Sequence, residues 1–244
     1  MDLVAQVVAW FADPAHWQGP NGVPLRVLEH VEASGVSVLV AACIALPVGL
    51  AVGHTGRGAF VVSSVANLGR ALPSFALLLM LIPIAVDLQL DFSTWPILGA
   101  MVLLAIPPMI TNAHAGMREV DRDLVEAARG MGMNGLQVLL RVELPLALPV
   151  ILTGTRLAAV QVVATYTLGA VAGGGGLGRY IYDGFSTQDT ALMVAGAGLV
   201  ALLSIATDVA FGVVARNTAP RGLTRLRTVD AVPAPGLASA GTGV

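Results

Sequence analysis

The chain has no lysine, only one cysteine, Cys43, and few charged or aromatic residues, which make up 11 % and 5 % of its 244 residues. All thirteen of its basic residues are therefore arginine. A Walker-type nucleotide-binding loop requires a lysine, so any ATP chemistry must belong to a separate subunit. A single cysteine excludes an internal disulfide and a cysteine cluster. Because Cys43 lies within an apolar run, we predict a buried structural thiol.

The four histidines stand at positions 16, 30, 54 and 114, without the spacing of metal ligands. The sequence therefore predicts no metal site and no cofactor bound by this chain. We also predict no nucleic-acid partner. The formal net charge of −2 itself tells little, because the distribution of charge matters more than its sum.

Hydrophobic residues make up 56 % of the chain, and the mean hydropathy is +0.80. This composition is typical of an integral membrane protein. Charge-poor runs long enough to cross a bilayer predict five spans, at about residues 33–53, 59–86, 93–116, 144–168 and 190–214. The predicted fold class is an all-α integral membrane protein, located in the cytoplasmic membrane and passing through it several times.

The placement of arginine predicts the orientation of these spans, because cytoplasmic loops are enriched in basic residues. Arginines occur in the turn at residues 53–58, in the loop at 118–143 and after residue 217, whereas the loop near Asp87 and Asp91 has none. We therefore predict that the N-terminus is outside and the C-terminus inside, which places the 118–143 loop in the cytoplasm.

Three regions follow from this topology. Residues 1–32 are predicted to form an N-terminal interfacial segment, and residues 33–216 the transmembrane domain. Residues 217–244 are rich in alanine, glycine and proline, so they are predicted to be a disordered cytoplasmic tail whose arginines rest on lipid headgroups. Within the first region, Leu3–Ala12 is either an amphipathic helix at the outer interface or a loose extracellular leader, and not a signal peptide.

The loop at 118–143 contains four arginines and five acidic residues, so it cannot lie in the bilayer core. Asp123 and Glu126 have capping-box spacing, and Asn134 and Gln137 repeat that spacing. Gly130 and Gly132 lie between these two starts and provide a stop and a turn. We therefore predict two short helices at the membrane surface. Pro145 suits the first turn of the membrane helix that follows.

The same loop contains Glu126-Ala127-Ala128, Gly132 after three residues, and an aliphatic-x-Leu144-Pro145 sequence after nine more. This pattern resembles the EAA loop of binding-protein-dependent ABC importer permeases, which docks into a cleft of a cytoplasmic ATPase. The resemblance implies that Glu126, Ala127, Ala128 and Gly132 form the coupling surface, and that Leu144 and Pro145 anchor the loop to the fourth span. The alternative is an ordinary cytoplasmic linker with a chance alanine pair.

Three positions within the predicted spans carry charges that are costly in lipid. Arg70 precedes Pro73 in a second span that is too long for a simple crossing, so we predict a break near Pro73. Arg70 then lies at headgroup level or lines an inner cavity, unless it only snorkels to the surface without a transport role. Arg156 and Asp208 lie at similar depth, so we predict an intramembrane charge pair that holds spans four and five together.

Several segments are candidates for a translocation path. Pro107 and Pro108 are predicted to kink the third span before Asn112, and the glycine-rich stretch at residues 173–178 is predicted to be the most flexible part of the chain. That stretch provides either close helix packing or a gate. The candidate path or gate residues are Arg70, Pro73, Ser74, Asn112, Gly175, Gly176 and Gly178.

A broader resemblance depends on four stretches, at residues 72–78, 126–133, 142–151 and 175–178. Together they resemble the osmoprotectant branch of these permeases, which serves glycine betaine, choline and carnitine. The resemblance implies a type I importer with two permeases, identical or paralogous, an ATPase dimer that binds ATP and magnesium, and an extracytoplasmic substrate-binding protein. The chain itself is then a transport subunit and not an enzyme. Thr111, His114 and residues 172–174 depart from the pattern, at positions that bear on substrate preference and gate geometry.

Two other interpretations of the function remain open at this point. A methionine-type amino-acid importer permease shares the five-span design and the EAA loop. A self-contained channel or secondary transporter would need no ATPase, and it would be expected to contain an internal inverted repeat, which the sequence does not display.

Overall fold

The structure is a computed structural model that describes residues 2–218, without the side chain of Arg70. Within those residues the chain is helical and contains no strand. Among residues 2–218, four helices are long and apolar enough to cross a membrane, and a bent helix pair brings the number to five. The predicted all-α membrane fold with about five spans is therefore confirmed. The predicted tail beyond Thr218, with Arg221, Arg225 and Arg227, lies outside the described residues.

The helices, in chain order, are α1 Leu3–Ala12, α2 Val23–Thr55, α3 Ala59–Ala71, α4 Ser74–Asp87, α5 Trp95–Arg118, α6 Arg122–Gly130, α7 Gly135–Val138, α8 Leu144–Thr165, α9 Gly178–Thr187 and α10 Thr190–Thr218. Short 3-10 helices cover Pro14–Trp17 and Tyr166–Ala172, and a π-helical turn covers Leu139–Glu143. The π-helical turn joins α7 to α8, so a single helical run extends over Gly135–Ala172.

The second predicted span is broken, as expected. Helix α3 ends at Ala71, helix α4 begins at Ser74, and the two are bent by 94°. Leu72 between them has an extended backbone, with φ −83° and ψ 120°. A residue before proline is forced out of the helical conformation, and Pro73 has no amide hydrogen to continue the helix. The break near Pro73 is therefore a local consequence of the sequence.

Helix α5 is the centre of the bundle and packs against α2, α3, α4 and α8. Small residues permit these close approaches. A Cβ atom added to Gly154 of α8 would lie 2.4 Å from the Cβ of Asn112, and one added to Gly49 of α2 would lie 2.7 Å from the Cβ of Ala113. Membrane helices associate through such contacts because apolar side chains gain nothing by leaving lipid. The positions of α2 and α8 are thus fixed relative to α5.

The N-terminal segment is helical and packs against the bundle. Trp10 of α1 is buried in a cluster with Tyr180 and Val200, and its ring meets the Tyr180 ring edge to face at a centroid distance of 5.5 Å. The helical alternative for Leu3–Ala12 is therefore confirmed, and the loose leader is wrong. Its place in the membrane interface stays a prediction.

Two helices extend beyond the bounds of the predicted spans, and one expectation about burial is wrong. Helix α2 begins at Val23 and not near residue 33, because Gly22 and Pro24 provide its start well before the apolar run. Helix α10 continues to Thr218, past the predicted start of the tail at residue 217. Cys43 is exposed, since the buried face of α2 carries Ala41 and Ala45 on either side of it.

Candidate functional site

Helix α6 carries the Glu-Ala-Ala sequence at the end of the bundle where α5 finishes. Its N-cap is Asp121, whose carboxylate accepts a hydrogen bond from the amide of Asp123 at 2.9 Å. The predicted cap at Asp123 is therefore wrong by two residues. Glu126 and Ala127 are exposed, whereas Ala128 is only 2 % exposed and packs in a cluster with Val125 and Val138. Two of the three residues thus face outward, whereas Ala128 packs the helix against the bundle.

The turn after α6 depends on a glycine. Gly132 has φ +87°, a left-handed conformation that favours glycine, and a Cβ atom there would meet nothing within 4 Å. The requirement at Gly132 is therefore conformational and not steric. Gly130 is instead the last residue of the helix.

The second short helix, α7, begins with the predicted capping box. The Asn134 side chain accepts from the Gln137 amide, and the Gln137 side chain accepts from the Asn134 amide, both at 2.9 Å. From there the chain continues through the π-helical turn into α8, with Pro145 in its first turn. Leu144 is half-buried and Pro145 is exposed. Movement of the loop is thereby connected to the membrane helix without an intervening flexible joint.

An apolar groove of about 390 Å³ lies between α6 and the start of α8. Ala127, Ala128 and Met131 form one wall, and Val142 and Pro145 belong to the other. Three of the six predicted coupling residues, Ala127, Ala128 and Pro145, line this groove, and Glu126, Gly132 and Leu144 lie close to them in the chain. We call residues 121–146 the coupling surface.

Sequence reasoning missed a contact behind the coupling surface. Glu143 is only 6 % exposed, and its carboxylate accepts a hydrogen bond from Nδ1 of His54, in the last turn of α2. The pair links the end of α2 to the start of α8. No local pattern in the sequence indicates this pair, because the two residues are 89 positions apart and meet only through the packing of the helices.

The structure contains the predicted ion pair between Arg156 and Asp208, and its role in holding the spans together stays a prediction. Nε of Arg156 in α8 donates to one carboxylate oxygen of Asp208 in α10 at 2.6 Å, and Nη2 donates to the other at 2.5 Å. This bidentate arrangement is the strongest geometry that arginine and a carboxylate can form. It joins the fourth and fifth spans, as expected.

Asp208 also borders a cavity of about 550 Å³ between α3, α5, α8 and α10. Asn112 and Gln161 contribute polar groups to its wall. The side-chain amide of Asn112 donates to the Pro108 carbonyl oxygen at 2.8 Å. Gly69 lines the same cavity. A path through the membrane domain at this depth would therefore contact α5, which contains Pro107 and Pro108, and α3, which ends just before Pro73.

The other predicted path residues are not gathered at that cavity. Pro73 and Ser74 lie at the break between α3 and α4, and the Arg70 side chain is not among the described ones. Gly175, Gly176 and Gly178 lie at the far end of α8, away from the coupling surface.

The glycine-rich turn is held tightly, so the expectation of a loose segment is not met. The Gly176 amide donates to the Glu29 carboxylate at 2.8 Å, and the Leu177 amide donates to Nδ1 of His30 at 3.2 Å. A Cβ atom at Gly178 would lie 2.5 Å from the Thr167 carbonyl oxygen. The predicted roles of this stretch were close helix packing and a gate, and the geometry matches close helix packing.

Among residues 2–218 there is no group of three histidine, cysteine or acidic side chains that could hold a metal ion. The geometry instead suits mechanical and electrostatic tasks. One end offers an exposed surface with a turn at Gly132 and a continuous helical link to a span, and the bundle holds largely apolar cavities with a few polar groups in their walls.

Comparisons with known proteins agree with this arrangement. The family model described as "Binding-protein-dependent transport system inner membrane component" matches residues 44–220. The choline transport system permease protein OpuBB of Bacillus subtilis is 32 % identical over 205 residues, covering 84 % of this chain and 92 % of the relative. The carnitine transport permease protein OpuCD of Listeria monocytogenes is 35 % identical over 221 residues, covering 90 % and 95 %.

A third relative, the osmoprotectant import permease protein OsmW of Salmonella typhimurium, is 33 % identical over 198 residues, covering 80 % of this chain and 92 % of the relative. Among solved structures, an inward-facing conformation of the MetNI methionine ABC transporter matches with a TM-score of 0.71 and 25 % identity, covering 79 % of this chain and 94 % of that one. The fold is therefore that of a type I ABC importer permease, and the chain belongs to the family of binding-protein-dependent transport system inner membrane components.

Proposed function

We propose that this chain is the membrane-spanning permease subunit of an ATP-driven importer for osmoprotectants such as glycine betaine, choline or carnitine. The similarity that supports this substrate class runs along nearly the whole membrane domain: the relatives named for choline and carnitine each align with more than four-fifths of the chain. ATP and magnesium bind to a partner ATPase dimer, and an extracytoplasmic binding protein delivers the solute. A second permease, identical or paralogous, completes the membrane unit.

The coupling surface carries the mechanical part of this proposal. Glu126 and Ala127 present an exposed edge to the ATPase, and Gly132 turns the chain into α7. Because the helical run from Gly135 continues into α8, a push on the loop moves that span as a rigid body. The Arg156–Asp208 pair then carries the movement to α10. Closure of the ATPase dimer on ATP would in this way reorient the path between the two sides of the membrane.

A methionine-type importer is the second candidate, supported by the likeness to the solved methionine transporter. The two candidates differ in the solute that competes for uptake. In a bacterial strain that lacks its own osmoprotectant importers but expresses the complete operon, we expect labelled glycine betaine uptake that choline or carnitine reduces and methionine does not. Methionine uptake without osmoprotectant uptake would reject the proposed substrate class.

The need for the ATPase is tested in the same strain. Substituting the Walker lysine of the partner ATPase should abolish uptake while the permease remains in the membrane. Uptake that survives this substitution would indicate a self-contained channel or secondary transporter.

A further inference from the structure

A second cavity, of about 370 Å³, lies at the end of the bundle opposite the coupling surface. The first turns of α2, the residues just before α5 and the glycine-rich turn surround it. Its polar lining comes from Glu29, Glu32, Ser93, Thr94 and Tyr166, and apolar side chains such as Ile97 complete the wall. This size is within the range of small-molecule sites. We call it the mouth cavity, because the predicted topology places it on the outer side.

The carboxylates of the mouth cavity are not fully balanced by cations. Glu29 forms an ion pair with Arg26 at 2.8 Å and also accepts from the Gly176 amide. Glu32 is exposed and has no ion pair or hydrogen bond within residues 2–218. The mouth cavity therefore retains the negative charge of Glu32, and a cleft lined by one sign of charge concentrates ions of the opposite sign.

A third carboxylate lies just behind the rim. Asp91 accepts hydrogen bonds from the hydroxyls of Ser93 at 2.8 Å and Thr94 at 2.6 Å. These bonds, with that of Thr94 the largest contribution, hold the pKa of Asp91 below its ordinary value, so the group is ionised at neutral pH. Its charge adds to that of Glu32, because Ser93 and Thr94, which it binds, line the cavity.

Tyr166 supplies an independent sign that the mouth cavity takes a ligand. The residue is only 7 % exposed, and its ring packs edge to face against His30 at a centroid distance of 4.8 Å. Its hydroxyl group has no hydrogen-bond partner among the described residues, although the side chain lines the cavity. The hydroxyl is therefore accessible from the cavity, although the rest of the residue is buried, and it is free to hydrogen-bond with a bound molecule.

These features suit an organic cation whose charged nitrogen is surrounded by methyl groups and which also carries an oxygen atom. A trimethylammonium group donates no hydrogen bond, so it is held by the charge of a carboxylate and by contact of its methyl groups with apolar walls. The hydroxyl or carboxylate oxygen of the same solute can accept a hydrogen bond from Tyr166. We propose that the mouth cavity binds the quaternary ammonium solute as it passes from the binding protein into the permease, with Glu32 and Tyr166 as the recognition residues. This proposal rests on the proposed function.

The test measures choline binding to the complete permease–ATPase complex in lipid nanodiscs without the binding protein. We expect Glu32→Gln to weaken choline binding about tenfold, because it removes the unbalanced charge. Tyr166→Phe should weaken it about threefold, because it removes only one hydrogen bond. Asp2→Asn is the matched control: it removes the same charge from an exposed carboxylate that makes no capping bond, and it should leave choline binding unchanged.

A neutral analogue separates charge recognition from shape. The uncharged isostere 3,3-dimethylbutanol should compete poorly with choline for the wild-type complex. Its own affinity should not change in Glu32→Gln, so relative to the weakened choline it should compete better there than in the wild type. Equal competition by the isostere, an unchanged dissociation constant in Glu32→Gln, or displacement of choline by millimolar calcium at constant ionic strength would each overturn the proposal.

Binding and uptake measurements together distinguish a wrong assignment of the mouth cavity from a wrong substrate class. If the wild-type complex with its binding protein imports glycine betaine or choline but the Glu32 and Tyr166 variants bind choline normally, only the mouth-cavity site is wrong. If the wild-type complex imports none of the three osmoprotectants, the substrate class itself is wrong.

Discussion

Adjacent small residues of the coupling surface perform different tasks. Ala127 is exposed and borders the apolar groove, whereas Ala128 is buried against the residues that join α6 to the bundle. A larger side chain at Ala127 would therefore obstruct a docking partner, and one at Ala128 would displace the helix. The sequence pattern alone treats both residues as part of one surface. It cannot separate them, because burial depends on how α6 lies against α5 and α7.

Gly132 and Gly130 allow the turn to be tested with a matched control. Gly132→Ala places a side chain at φ +87°, at a cost of about 1–2 kcal/mol, so the turn should distort. Gly130→Ala introduces the same atom within a helix, where nothing lies within 4 Å and alanine is favoured by about 0.5–1 kcal/mol. We expect Gly132→Ala to reduce uptake and copurification of the ATPase, and Gly130→Ala to preserve both. Equal behaviour of the two variants would contradict the role of the turn.

At the scale of helices, local sequence signals predicted the elements whose ends are determined by neighbouring residues. Pro73 breaks the second span, and the Asn134–Gln137 capping box begins α7, as expected. Both features depend on contacts within a few residues. The start of α2 and the exposure of Cys43 were not predicted, because apolar runs in membrane helices carry little information about which face meets protein and which meets lipid.

The pair between His54 and Glu143 connects two helices that meet at the coupling surface. Glu143→Gln preserves the size of the side chain but removes the charge that holds His54, so the tie between α2 and α8 should weaken. We expect ATP hydrolysis by the reconstituted complex to continue while the solute transported per ATP falls severalfold. A purely structural contact would instead lower the amount of assembled complex and leave this ratio unchanged.

A double-mutant cycle gives the control for that prediction. His54→Gln should cause a similar loss of coupling, and the double variant should be little worse than either single one, since all three lack the same contact. Additive losses in the double variant would indicate that the two side chains act separately.

The Arg156–Asp208 pair connects α8 to α10, and its energetic role can be measured in the same way. Arg156→Ala and Asp208→Ala each leave one charge without its partner in the membrane domain, so both should lower the thermal stability of the purified complex. We expect a coupling energy of about 0.5–2 kcal/mol, and partial recovery when both residues are replaced together. Strictly additive effects would show that the pair does not hold the two spans together.

At the scale of the whole molecule, the two ends of the bundle have different chemistry. The coupling surface has an apolar groove and exposed small residues, whereas the mouth cavity has unbalanced carboxylates. The sequence predicted the first end because its motif is contiguous. It could not predict the mouth cavity, since Glu32 and Tyr166 are far apart in the chain and meet only when α2 packs beside the end of α8.

The orientation of the two ends is the prediction on which the transport model depends. In a Cys43→Ala background, Met131→Cys places a thiol at a position that is 77 % exposed on the coupling surface, and Ser186→Cys places one at the opposite end, after the glycine-rich turn. A membrane-impermeant maleimide added to intact cells should label Ser186→Cys and not Met131→Cys. Inside-out vesicles should give the reverse, because the polar loop at 118–143 carries the arginines that favour the cytoplasmic side. Labelling of Met131→Cys in intact cells would place the coupling surface outside, where no ATPase could reach it.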